Sequence, residues 1–95
     1  WCHNPGVSAA INAERENKTY LPGFHLPVTI RATSDLAEAV RDREYLLAMG
    51  PSHVLREVMT QARPHLAGTP LVVSAAKGIE EGTHKRMSEV LEDVL

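Results

Sequence analysis

This 95-residue sequence has a single cysteine, no long apolar run and no charge excess, and each shortage removes a class of function. The lone cysteine, Cys2, excludes an internal disulfide and any Cys-x-x-Cys metal site, and it suits a reducing compartment. Beside Trp1 it reads as a small apolar filler. No apolar run approaches the roughly 18 to 20 residues that cross a bilayer. The opening Trp1-Cys2-His3-Asn4-Pro5 lacks the layout of a signal peptide. A soluble, cytoplasmic protein without a membrane span is the expectation. Ten basic and 12 acidic residues give a net charge of −2 with no basic stripe, so nucleic acid is not an expected partner.

Chemical motifs are also scarce. The histidines at 3, 25, 53, 65 and 84 follow no metal-ligand spacing and no His-Glu-x-x-His pattern occurs, so no metal is expected. Ser52 and His53 are adjacent and point in different directions on a helix, which argues against a nucleophile and its base. The glycines at 6, 23, 50, 68, 78 and 82 form neither Gly-x-Gly-x-x-Gly nor a Walker-type loop, so no phosphate-cradling loop lies in this chain.

What is present is an ordinary globular composition, 43% hydrophobic and 23% charged, sufficient for one small core. Asn4-Pro5 opens a helix, with Asn4 as cap and Pro5 in the first turn, and Asn17 closes it. Tyr20 to Pro27, with two prolines and a glycine, is a loop. Val28-Thr29-Ile30-Arg31-Ala32 reads as a short strand. Asp35 with Glu38 forms a capping-box pattern before an apolar stripe of Leu36, Ala39 and Val40.

Tyr45-Leu46-Leu47-Ala48-Met49 is a continuous apolar run of the kind buried on both faces of a parallel sheet, and Gly50-Pro51 stops it. Ser52 caps the next helix, in which Val54, Leu55, Val58, Met59, Ala62 and Leu66 recur at helical spacing. Pro70 precedes a second buried-type strand, Leu71 to Ala76, ended by Lys77-Gly78. Met87, Val90, Leu91, Val94 and Leu95 then mark an amphipathic helix. Strands alternating with helices specify the α/β class with parallel pairing. A start at Trp1-Cys2 that leads straight into a helix reads as a sheet missing its first strand. Its unpaired edges favour association, which leaves a homodimer open.

Ligands of open parallel sheets bind beyond the carboxyl ends of the strands. Three junctions of that type are predicted: His3-Asn4, Gly50-Pro51-Ser52-His53, and Lys77-Gly78-Ile79-Glu80. Lys77 stands out, because an ammonium group directly after a buried strand can meet phosphate or hydroxyl groups; a solvated loop lysine is the alternative.

Several segments together resemble the bacterial-type NAD(P)-dependent glycerol-3-phosphate dehydrogenases. They are Ile11-Asn12 through Arg15-Glu16-Asn17, Tyr20-Leu21-Pro22-Gly23, Ala32 through Ala39, Pro51 through Val58, Ser74-Ala75-Ala76-Lys77-Gly78-Ile79-Glu80, and Ser88-Glu89-Val90-Leu91. The resemblance runs along essentially the whole chain. It implies a Rossmann-like three-layer parallel sheet with flanking helices, incomplete at its N-terminal end. Residues 1–95 would form an NAD(P)-binding domain lacking the first strand and glycine-rich loop, and the helical substrate domain would be absent.

The implied reaction is reduction of dihydroxyacetone phosphate to sn-glycerol 3-phosphate with NADH or NADPH, a step of glycerophospholipid biosynthesis. The resemblance assigns cofactor contacts to His3, Asn4, Tyr20 and Lys77, and a substrate contact to Lys77. It places no catalytic residue in this chain. Asn4 stands where many members carry arginine, so the choice between NAD and NADP stays open. Two alternatives are another NAD(P)-dependent hydroxyacid or ketopantoate-type dehydrogenase and a non-catalytic Rossmann-like binding module; the Lys77-Gly78-Ile79-Glu80 segment argues against the former.

Overall fold

In a computed structural model that describes every residue from Trp1 to Leu95, the chain divides into two compact units, Trp1–Ala39 and Val40–Leu95. Helix α1 (Pro5–Glu14) dominates the first. Its start is as the sequence predicts: Asn4 is extended, its Oδ1 accepts from the Gly6 amide at 2.7 Å, and Pro5 occupies the first turn, where a missing N–H costs nothing. Its end comes earlier than Asn17. Arg15 turns left-handed at φ 57°, and its amide closes on the Ile11 carbonyl at 2.9 Å. Asn17 lies instead in the turn that follows, bridged to Leu21.

The strand predicted over Val28–Ala32 does not form. Val28 is 78% exposed, and the Ile30 amide folds back to the Pro27 carbonyl at 3.1 Å. A strand needs a partner ladder, and here side chains supply the bonds instead. The Asn12 amide donates to the Ala32 carbonyl at 2.7 Å, while its Oδ1 accepts from the Ala32 N–H at 2.8 Å. The Arg15 guanidinium donates to the Ile30 carbonyl. Ile11 and Ala32, both buried, are the apolar centre of this unit. The short helix α2 (Leu36–Val40) follows, and the Asp35 Oδ1 accepts from the Glu38 amide at 3.3 Å as a cap should.

Strands β1 (Tyr45–Ala48) and β2 (Leu71–Ser74) of the second unit pair in parallel, Tyr45 beside Leu71 through Ala48 beside Ser74. Between them runs α3 (Ser52–Ala62), extended by a 3₁₀ turn over Arg63–His65, and α4 (Met87–Val94) follows β2. The two helices read directly from the sequence. Leu55, Met59 and Ala62 of α3, with Met87, Val90, Leu91 and Val94 of α4, are the buried residues at helical spacing. Together with Ala48 they form one core, against which Val72 and Ala76 pack.

Helices therefore cover the sheet face that carries Ala48 and Val72. The opposite face is not covered: Tyr45, Leu47, Leu71 and Val73 are 68%, 65%, 60% and 47% exposed. The prediction of strands buried on both faces thus holds for one face only. A second correction concerns Ser52, which is the first residue of α3 rather than its cap; the capping position is held by Pro51, whose ring has no acceptor to offer. No helix is long and apolar enough to cross a membrane.

Candidate functional site

Parallel pairing brings the carboxyl ends of β1 and β2 side by side, so the segments that leave them share one end of the sheet. Beyond β1 the chain passes Gly50-Pro51 and enters α3. Beyond β2 the Ala75 amide makes a last bond to the Ala48 carbonyl at 3.0 Å, Ala76 is half-buried, and Lys77 emerges exposed. No hydrogen bond or ion pair within the chain engages the Lys77 ammonium group.

Gly78 follows at φ 107°, a conformation that penalises any side chain. It also lies against α3: a Cβ at Gly78 would sit 3.3 Å from Ser52 Oγ. Two of the three predicted junctions are thereby joined. One exposed ammonium, one hydroxyl and the first turn of a helix face the same end of the sheet. This donor set, cationic and rich in N–H and O–H, suits anionic and polyhydroxylated ligands such as phosphates and ribose.

The same loop is held by an ion-pair network that no local sequence signal foretells. Arg56, one turn along α3 from Ser52, donates from Nε and Nη2 to the two carboxylate oxygens of Glu80 at 2.7 and 2.9 Å. Its Nη2 also reaches Asp93 on α4 at 3.0 Å, and Lys85 pairs with the same carboxylate. The Thr83 hydroxyl donates to Glu80 at 2.6 Å. The Arg56 guanidinium, then the Thr83 hydroxyl, hold the Glu80 carboxyl below its ordinary range. Lys85, then Arg56, do the same for Asp93. A shallow depression lined by His53, Arg56, Glu57, Glu80, Glu81 and Thr83 opens on this network but does not include Lys77. Within it Arg56 and Glu80 are already paired with each other, and that pair supports the loop.

The network has a consequence for acid stability. A carboxylate whose folded pKa is depressed contributes stability above its unfolded value and loses it as pH falls through the folded one. Starting from ordinary values of 4.5 for Glu80 and 3.8 for Asp93, the loss begins near pH 4.5 and deepens below it. A melting-temperature profile from neutral to strongly acidic pH is expected to fall across that window. Glu80→Gln, unable to titrate, is expected to fall less steeply there from a lower starting value; an identical slope would mean that Glu80 does not contribute to the acid sensitivity.

The remaining predicted positions belong to the first unit. His3 is exposed, its ring edge-on to Trp1 at 6.0 Å, and the Trp1 indole N–H donates to the Ser34 carbonyl at 3.1 Å. Asn4 spends its Oδ1 on the α1 cap and keeps its amide NH₂ group for other partners. Tyr20 is 76% exposed in the turn beyond the other end of α1, its backbone N–H held by Asn17 Oδ1 at 3.1 Å. His3 and Asn4 therefore share one junction, Tyr20 occupies another, and Lys77 lies in the second unit. Among His, Cys, Asp and Glu, no group of three is placed to hold a metal ion.

Comparison with known proteins adds to this geometry. The family described as NAD-dependent glycerol-3-phosphate dehydrogenase N-terminus matches residues 1–95. Glycerol-3-phosphate dehydrogenase (NAD(P)+) of Rhodospirillum rubrum is 47% identical over 95 residues, all of this chain and 27% of the relative. The second such enzyme of Sphingopyxis alaskensis is 42% identical over the same span, 28% of its length. Among solved structures, glycerol-3-phosphate dehydrogenase from Coxiella burnetii superposes with a TM-score of 0.89 at 26% identity, covering all of this chain and 29% of that one. The enzyme from Saccharomyces cerevisiae gives 0.83 at 27% identity over 94% of this chain and 26% of its own. The fold is accordingly a partial Rossmann-like α/β arrangement, and the chain spans little more than a quarter of the length of the curated relatives it matches.

Proposed function

This chain belongs to the NAD-dependent glycerol-3-phosphate dehydrogenase family, whose N-terminal part it matches, and we propose that it is part of the dinucleotide-binding domain of such an enzyme. The full-length protein would reduce dihydroxyacetone phosphate to sn-glycerol 3-phosphate in the cytoplasm, feeding glycerophospholipid synthesis. The observation that carries this reading is Lys77, an exposed, unpaired cation at the carboxyl end of β2, with Gly78 seated on the start of α3.

NADH or NADPH, when bound, supplies the hydride that becomes the new C–H bond at the carbonyl carbon. The residues of this chain bind and orient. The Lys77 ammonium group donates to oxygen atoms of cofactor and substrate, neutralising negative charge where the two meet. The opening turn of α3 offers amide hydrogens and the positive end of a helix dipole nearby. His3, Asn4 and Tyr20 are assigned to the dinucleotide on the family resemblance. Their exposed side chains agree with that assignment. Asn4 is neutral, so it offers a 2′-phosphate a hydrogen bond without a counter-charge. No residue here is assigned the proton that completes the alcohol.

The test is turnover by the full-length protein. Oxidation of NADH or NADPH is expected only when dihydroxyacetone phosphate is added, with glycerol 3-phosphate formed in equal amount. Turnover of ketopantoate or another 2-oxo acid instead would replace this reading with that of a different dehydrogenase.

A further inference from the structure

We propose that Glu80, held by Arg56, is a positioning residue for Lys77, fixing the backbone of the 75–80 loop so that the Lys77 side chain faces the bound ligands. The inference rests on the reading of Lys77 given above. It concerns what holds that lysine in place.

The loop leaves the sheet after the Ala75 amide bonds to Ala48 and must then present Lys77 without a ladder to stiffen it. Its next fixed points are both on α3. Gly78 abuts Ser52, and Glu80 takes two parallel hydrogen bonds from Arg56. Ser52 and Arg56 are four residues apart and so share one face of the helix, making two anchors about one turn apart. Lys77 thus lies between an attachment to the sheet and a double attachment to a helix.

Glu80 is the centre of the second anchor. Its side chain is only 13% exposed, the most covered of the carboxylates in these ion pairs. Besides Arg56 it holds the Thr83 hydroxyl. Its backbone closes the far end of the loop, with its N–H donating to the Lys85 carbonyl at 2.8 Å and its carbonyl accepting from the His84 N–H at 2.9 Å. Arg56 is tied in turn to Asp93 on α4. A two-point guanidinium–carboxylate contact fixes direction as well as distance, which neither a lysine nor a carboxamide reproduces. Nothing in the network touches the Lys77 ammonium group, so its influence on that residue is geometric.

The experiment is a double-mutant cycle in the full-length protein, reading kcat/KM for dihydroxyacetone phosphate in wild type, Glu80→Gln, Lys77→Ala and the double variant. Because misplacement by about 1 Å can cost on the order of 10²-fold, Glu80→Gln is expected to lose at least about tenfold. In the Lys77→Ala background the same change is expected to cost nothing further, since there is no ammonium group left to misplace. Losses that multiply would overturn the proposal, as damage independent of Lys77. So would a wild-type kcat/KM in Glu80→Gln beside an impaired Lys77→Ala, an outcome that leaves the reading of Lys77 standing. An unimpaired Lys77→Ala is the separate failure of that reading and takes the positioning role with it. Should Glu80→Gln not fold, Arg56→Lys, which keeps the charge but loses the two-point contact, enters the same cycle with the same expectations.

Discussion

Lys77→Ala is expected to lower kcat/KM for dihydroxyacetone phosphate by about 10²- to 10³-fold in the full-length protein, the range seen when one preorganised donor is removed from a reacting centre. Two effects could produce a loss, and their magnitudes separate them. Structural damage is the smaller, because an exposed side chain with no partner in the chain changes stability by no more than about 0.5 kcal/mol when truncated. Lost stabilisation of charge is the larger. A factor of 10² corresponds to about 2.7 kcal/mol, which requires contact with ligand atoms. A fall in kcat together with kcat/KM would place that contact in the transition state; a rise in KM alone would place it in ground-state binding.

Leu55→Ala is expected to be the most disruptive single truncation in the second unit, at about 2 to 5 kcal/mol. Leu55 is 3% exposed and lies in the core that joins β1, α3 and α4 through Ala48, Met59, Met87, Val90, Leu91 and Val94. Removing its isopropyl group loses both transfer energy and contacts with the close-packed side chains around it. Against a total stability of about 5 to 15 kcal/mol for a domain, such a loss leaves a large unfolded population. The measurement is the urea midpoint of this chain, with Gln61→Ala on the exposed side of α3 as control. The control is expected to stay within about 0.5 kcal/mol of wild type. Equal shifts for the two would mean that α3 does not bury the face assigned to it.

How far the sequence anticipates these features depends on the range over which each is determined. α3 and α4 are legible because Leu55, Met59 and Ala62, and Met87, Val90, Leu91 and Val94, repeat at the helical period. The Asn4 cap is legible because side chain and amide lie two residues apart. Val28–Ala32 has strand-like residues but no ladder partner, and pattern alone cannot supply one; the bonds come from Asn12 in α1 and Arg15 just beyond its end. The apolar runs of β1 and β2 disclose strands, yet which of their faces meets α3 and α4 is set by packing.

The site divides in the same way. Lys77 is conspicuous because it ends an apolar run, and the resemblance of its neighbourhood to a dehydrogenase family sharpens its role. The contact of Gly78 with Ser52 and the Arg56–Glu80–Asp93 network are invisible along the chain. The partners of Arg56 are 24 and 37 residues away, and the β1–α3–β2 crossover together with the packing of α4 on α3 brings them to it.

The contact proposed for Lys77 with the bound ligands is made from the end of β2. It is tested most directly by steady-state kcat/KM for dihydroxyacetone phosphate, measured on wild type and Lys77→Ala of the full-length protein at saturating cofactor, with melting temperatures taken alongside. A loss of about 10²- to 10³-fold at unchanged melting temperature is expected. Equal kcat/KM values for the two proteins would contradict it.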